Sequence, residues 1–339
     1  MNLTVRRAIK SVAASGRPLR ARSVRNHDSV SIFAYHRVVA NIEKAEQEAF
    51  YGLVVSTDTF RKHCELLKRS FDVVSLKDAA DVLSGKRSAK GPTAVITFDD
   101  GYLDFYEEAF PVLRSLQMPA TVFLPTAYIG TGRMLDHDKL FWLLKSASGE
   151  KTDITENLIG AGVKRNIAKR FANITKLTDQ TESLVYLPLA VRERVIAALE
   201  KKITELKPYP CEYQLLRWDQ VSEMSAAGID FGAHTANHVV LPIESEEMAA
   251  KEIAASRSTL ERHLGKSITT FAYPNGEHNA TIRQLAFNAG FKVAVTTTRH
   301  SNRLGSDPLA LGRFSLCEES TRGLLGAYSP RVAALRLGA

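Results

Sequence analysis

Two adjacent carboxylates, Asp99 and Asp100, follow the apolar run Thr93-Ala-Val-Ile-Thr-Phe98 and precede Gly101 and Tyr102. The run reads as a buried strand. Successive strand residues face opposite sides of a sheet, so neighbouring aspartates can serve one site only where the strand ends and the backbone turns, as Gly101 permits. Far downstream, His234 and His238 follow a second strand-like segment, Ile229–Ala233. If the backbone makes a helical turn there, the two imidazoles share a face with Cβ atoms about 5–6 Å apart, a suitable spacing for one metal ion. Each motif alone has a plainer reading, as a solvated Asp-Asp-Gly turn or as two surface histidines. Together they supply two nitrogens and an oxygen with positions left for water and substrate, as a hydrolytic metal centre requires.

Groups gathered at strand ends need a sheet to gather them, and the chain alternates strand and helix. Strands are expected at residues 31–35, 71–75, 93–98, 120–124, 230–233, 268–273 and 291–297, and helices at 57–69, 105–116, 219–227, 244–264 and 280–288. Pro111 should kink or restart the second of these helices. The alternation argues for a parallel α/β sheet with right-handed crossovers. Residues from about 140 to 210 break it. Val191, Val195, Leu199 and Ile203 recur there at helical spacing, which marks an inserted helical subdomain serving as structural cover or as a lid. Asp136-His137-Asp138 opens this insertion and imitates a metal site; since adjacent side chains rarely converge, Asp136 reads instead as a helix N-cap.

The ordered set TFDDGY (97–102), HTANH (234–238) and FAYPNG (271–276) resembles the polysaccharide deacetylase family, also called carbohydrate esterase family 4 or the NodB homology domain, over about residues 31–316. The resemblance implies a distorted, incomplete (β/α) barrel and a metal-dependent hydrolase that removes acetyl groups from N-acetylated sugars. It makes Asp99 the general base, Asp100, His234 and His238 the metal ligands, and the backbone amide of Asn275 the oxyanion donor. Zn²⁺ is the first expectation, with Co²⁺ or Ni²⁺ as substitutes. Two features depart from the common pattern. The motif Arg that positions the base is replaced by Ala272, with Arg313 in Leu311-Gly-Arg-Phe-Ser315 as a candidate substitute. The C-terminal motif that carries the catalytic acid is absent after Thr297, and its counterpart is His36 in Phe33-Ala-Tyr-His-Arg37. Such an order resembles the permuted branch containing exopolysaccharide and poly-N-acetylglucosamine deacetylases. Tyr102 and Trp218 are candidates for the sugar cleft, with core packing the competing role for Trp218.

Composition sets further bounds. The chain has 339 residues, of which 45% are hydrophobic, and no apolar stretch near the ~20 residues needed to span a bilayer. Cys64, Cys211 and Cys317 are too scattered for a disulfide framework or a metal knuckle. The net charge is +8, and residues 1–28 hold seven basic residues against Asp28 alone. The organisation expected is a basic arm over 1–30, a catalytic domain over 31–316 with the insertion, and a partly helical tail over 317–339. The arm is a solvated tail or a peripheral contact with anionic lipid. A nearly neutral core without a recognition motif argues against nucleic acid. With no apolar leader segment after Arg6-Arg7, the expected location is the cytoplasm, at most held to the inner membrane surface. The substrate expected is an exopolysaccharide or its lipid-linked precursor. An amidohydrolase of the same fold acting on a small non-sugar amide and an impaired carbohydrate-binding relative are the alternatives.

Overall fold

The computed structural model describes residues 29–48, 53–150, 154–203 and 213–338; the basic arm over 1–28 and Cys211 lie outside these. The strands are β1 (Ser29–Tyr35), β2 (Arg37–Val39), β3 (Val54–Ser56), β4 (Asp72–Val73), β5 (Thr93–Phe98), β6 (Thr121–Leu124), β7 (Asp230–Ala233), β8 (Thr270–Ala272), β9 (Val293–Val295), β10 (Asn302–Arg303) and β11 (Phe314–Ser315). One curled sheet runs in the order β10-β1-β5-β6-β7-β8-β9, with β4 also beside β5 and β11 beside β1. Its pairings are parallel apart from β1 with β10. All six residues of β5 are buried, as expected of a parallel strand covered on both faces. The register Tyr35↔Phe98 ends β1 and β5 level, and Leu124↔Ala233 ends β6 and β7 level two residues further on, since Phe98 pairs with Val122; the residues following these strands share one rim.

The helices are α1 (Ile42–Glu48), α2 (Thr57–Ser70), α3 (Leu76–Leu83), α4 (Phe110–Leu116), α5 (Asp136–Glu150), α6 (Thr155–Gly160), α7 (Arg165–Ala172), α8 (Leu177–Val185), α9 (Leu189–Lys202), α10 (Trp218–Ala226), α11 (Glu246–Leu264), α12 (Ala280–Asn288), α13 (Glu318–Thr321) and α14 (Pro330–Leu337). Local chemistry explains their limits. Ser56 and Ser245 cap α2 and α11 by accepting the N–H of Thr59 and Met248, and Gly265 ends α11 in the left-handed conformation. Ser75 caps α3 in the same way, which is why the strand expected over 71–75 shortens to Asp72–Val73. Phe105–Ala109 forms a π-helical turn, and α4 continues from Phe110 with Pro111, which lacks an N–H and interrupts the regular i→i−4 ladder there.

The large apolar cluster lies between the sheet and its helices and includes Phe33, Phe60, Ile96, Phe98, Phe231 and Phe271. Helices α5 to α9 build a second cluster of their own around Leu140, Leu143, Leu158, Phe171, Leu184, Val195 and Leu199. The insertion thus opens with α5 at Asp136, the first residue of the triplet that opens it in the sequence. Asp136 is not an N-cap. Its carboxylate instead accepts from Tyr128 Oη at 2.8 Å and Arg192 Nε at 2.7 Å, and a buried cation and phenol outcompete local backbone N–H groups for it. In the C-terminal segment, Glu318 accepts hydrogen bonds from Ser56 and Thr59, which docks α13 on the start of α2.

Candidate active site

The strand β5 ends where Asp99 and Asp100 turn away from the sheet. Asp100 and Gly101 both take positive φ, 74° and 68°. A Cβ at Gly101 would sit 2.5 Å from Leu124 Cδ2, so only glycine fits this turn. At the end of β7, Thr235 and His238 also have positive φ, 60° and 50°. A β-branched residue with positive φ is strained, and such strain persists only where the surroundings over-determine it. Here Thr126 and Ala127 donate backbone N–H groups to Thr235 O and Ala236 O. Glu252 of α11 accepts both the backbone N–H and the side-chain amide of Asn237, each at 2.7 Å.

These turns bring Asp100, His234 and His238 together, with one ligand atom from each within 4.8 Å of the others. Asp100 Oδ1 lies 3.2 Å from His238 Nε2 and 3.6 Å from His234 Nε2. Although close, these contacts lack hydrogen-bond geometry, and Asp100 Oδ1 is buried with no hydrogen-bond partner among the described residues. Burial would raise the Asp100 pKa, but the neighbouring His238 holds it well below the usual carboxylate range. Burial pushes His234 down to about 4, so its ring is neutral near pH 7. Its Nδ1–H donates to Ala272 O at 2.7 Å, leaving the Nε2 lone pair directed at Asp100. An ionised carboxylate oxygen without a partner beside two imidazoles is a donor set that fits a divalent cation.

Asp99 points elsewhere. Arg313 donates Nη1–H and Nη2–H to its two oxygens at 2.7 Å each, while Arg313 Nε–H donates to Thr296 O at 2.9 Å. Both residues are buried. Burial raises the Asp99 pKa, and the Arg313 guanidinium outweighs it, so the carboxyl stays below its ordinary value. Ala272, at the position of the expected motif arginine, offers its carbonyl to His234, and Arg313 reaches Asp99 from the start of β11. His36 follows β1, with Nε2 3.9 Å from Asp99 Oδ2 and the ring partly open to solvent. The next residue anchors it: Arg37 Nε–H donates to Asp104 Oδ2 at 2.8 Å, and Val38 N–H donates to Asp104 Oδ1.

Asn275 follows β8, exposed, with φ 56° and buried Pro274 before it; its carbonyl accepts from Thr297 Oγ1 at 3.0 Å. One expectation needs correction. Tyr102 has no exposed surface: its hydroxyl donates to Asp138 Oδ2 at 2.7 Å and its ring lies under Arg37, so it is no wall of a sugar cleft. Trp218 stacks on His263 of α11 with ring centroids 3.8 Å apart, and its ring also abuts Gly130. It packs α10 on α11, the competing role expected for it from the sequence. Glu252, Asp104 and Arg192 were not singled out from sequence. The available signal was a charged residue in an otherwise buried helical stripe, as with Glu252 beside Ala249, Ile253 and Ser256.

Functional groups gathered at the C-terminal rim of parallel strands place the molecule among (β/α)-barrel proteins whose sites are built from strand ends. The sequence model for polysaccharide deacetylase matches residues 86–294, more than half of the chain, and the chain belongs to that family. It is 21% identical over 278 residues to the putative polysaccharide deacetylase YxkH of Bacillus subtilis (strain 168), covering 82% of this chain and 71% of that protein. It is 27% identical over 195 residues to the poly-beta-1,6-N-acetyl-D-glucosamine N-deacetylase of Staphylococcus aureus (strain MSSA476). That match covers 56% of this chain and 63% of the staphylococcal protein, under two thirds of its length. Among solved structures, IcaB from Ammonifex degensii aligns with a TM-score of 0.58 at 20% identity, covering 91% of this chain and 97% of that one. The Streptococcus pyogenes deacetylase PplD in complex with acetate aligns with a TM-score of 0.57 at 20% identity, covering 89% and 99%. Both share the fold.

Proposed function

We propose that this protein is a metal-dependent de-N-acetylase of an N-acetylated saccharide, an exopolysaccharide or its lipid-linked precursor, and that it releases acetate. The observation that carries this reading is the division of labour between adjacent aspartates: Asp100 faces two imidazoles, while Asp99 is held by Arg313 beside His36. Asp100, His234 and His238 would hold a divalent cation, with Zn²⁺ the first choice and Co²⁺ or Ni²⁺ as replacements, which would supply Lewis acidity toward an amide carbonyl and a bound water.

The protein's own groups do the rest. Asp99 accepts the proton of the attacking water, and Arg313 keeps both of its oxygens in place. The backbone N–H of Asn275 is the candidate donor to the developing oxyanion. An amine leaves poorly unless protonated, so His36 in its protonated form donates to the sugar nitrogen as the C–N bond breaks, yielding acetate and a free amino sugar. The activity that names the staphylococcal relative supports a poly-N-acetylglucosamine-type substrate.

The test is acetate release from a panel of N-acetylglucosamine oligomers with metal content measured on the same samples. His234→Ala should lose most of its bound divalent metal together with activity. A His234→Ala protein with full metal occupancy and undiminished acetate release would show that the site is wrong.

A further inference from the structure

The triplet Asp136-His137-Asp138 is not consumed by the proposed reaction, yet it is buried throughout and touches both loops that carry the metal-binding residues. It forms the first turn of α5, where successive side chains diverge by about 100° and so reach three different partners. Asp136 pairs with Arg192 of α9, itself 1% exposed, and Arg192 Nη2 donates to the carbonyl of Asn237, the residue before His238. His137 lays its ring against His238, with centroids 5.2 Å apart. Asp138 accepts from the hydroxyl of Tyr102, two residues after Asp100.

The single hydroxyl proton of Tyr102 goes to Asp138. His137 Nε2, 3.0 Å from the same oxygen, must therefore be the donor to it. A protonated Nε2 has no lone pair for a metal, which makes His137 an outer partner and not a further ligand through that atom. The two ligand histidines also differ in support. His234 is oriented by Ala272 O, whereas among the described residues no carbonyl partner is found for His238. His238 sits at positive φ and depends on what surrounds its loop.

We propose that Asp136, His137 and Asp138, together with Arg192, form a positioning clamp on His238 and Asp100, through which the helical insertion sets the affinity of the site for its cation. The inference rests on the reading of Asp100, His234 and His238 as the cation site. Partners of this kind that orient metal ligands are typically worth 10–100-fold in metal affinity.

The test uses the full chain, with Zn²⁺ affinity measured by chelator competition, the visible absorption of the Co²⁺-substituted protein, and melting of the metal-free form. Tyr102→Phe keeps the ring volume and removes the hydroxyl that joins His137 and Asp138; Arg192→Met cuts the tie between insertion and loop. Both should weaken Zn²⁺ binding 10–100-fold and alter the Co²⁺ spectrum. Arg192→Met strands the Asp136 carboxylate and can fail to fold, in which case Tyr102→Phe decides. A folded Tyr102→Phe protein with parental Zn²⁺ affinity and an unchanged Co²⁺ spectrum overturns the clamp, even if it melts lower. Absence of Zn²⁺ binding by the parent protein would instead remove the cation site itself, and the clamp with it.

Discussion

A carboxylate whose two oxygens are both bound to one guanidinium, as Asp99 is to Arg313, has its plane fixed and its basicity reduced. Orientation is gained at the expense of proton affinity, so Asp99 suits a water that is already acidified. Arg313→Met leaves a buried carboxylate without its partner and should destabilise the fold by about 3–5 kcal/mol, measured by denaturant unfolding. Activity should fall further than the folded fraction does. Unchanged stability would mean that the ion pair is not formed in solution. The pairing was open in the sequence, where Arg313 stood only as a candidate substitute. Nothing in the spacing of Asp99 and Arg313 tells that β11 lies beside β1, and that contact depends on tertiary pairing alone.

At the scale of elements, β1 lies between β5 and the short late strands β10 and β11, and this places His36 beside Asp99, 63 positions later in the chain. His36→Ala should leave folding and metal content intact while slowing amide hydrolysis about 10²–10⁴-fold. An activated acetyl ester, whose leaving group departs without a proton, should be far less affected. Parental rates on both substrates would remove His36 from the reaction. A second expectation concerns α2 and the C-terminal segment, which meet at His63. Its ring contacts Tyr35 Oη at 3.1 Å and Thr321 Oγ1 at 2.9 Å, and burial pushes its pKa down to about 4. The unfolded chain binds this proton near pH 6.5 and the folded one only near 4, so the neutral ring contributes full stability above 6.5. That contribution, roughly 3 kcal/mol, is lost as pH falls from 6.5 to 4. Other buried groups add their own slope, so the difference between parent and His63→Gln unfolding free energies across this range isolates the contribution of His63. Identical pH slopes would contradict it. Elements with a strong residue pattern, such as the apolar run of β5 and the long helix α11, were legible in the sequence. The short β10 and β11 were not, because two-residue strands have no period to detect and exist only by pairing with β1.

For the molecule as a whole, the rim of strand ends was anticipated, since alternating strands and helices allow little else. The use made of the insertion was not. Its apolar stripe was visible, but Arg192 occupies the same stripe as Val195, Ile196 and Leu199, and only the folded chain reveals Asp136 as its partner. The concentration of basic residues in 1–28 predicts salt-sensitive binding to phosphatidylglycerol vesicles, lost on deletion of the arm and weak on neutral vesicles. Co-sedimentation unaffected by salt or by deletion would assign the arm no role at membranes. The central claim, that adjacent aspartates divide proton transfer from cation binding, is tested most directly by Asp99→Asn, with acetate release from an N-acetylglucosamine oligomer and bound metal measured on one preparation. The account predicts parental metal content and acetate release reduced to near background. Parental acetate release, or loss of the metal along with activity, would contradict it.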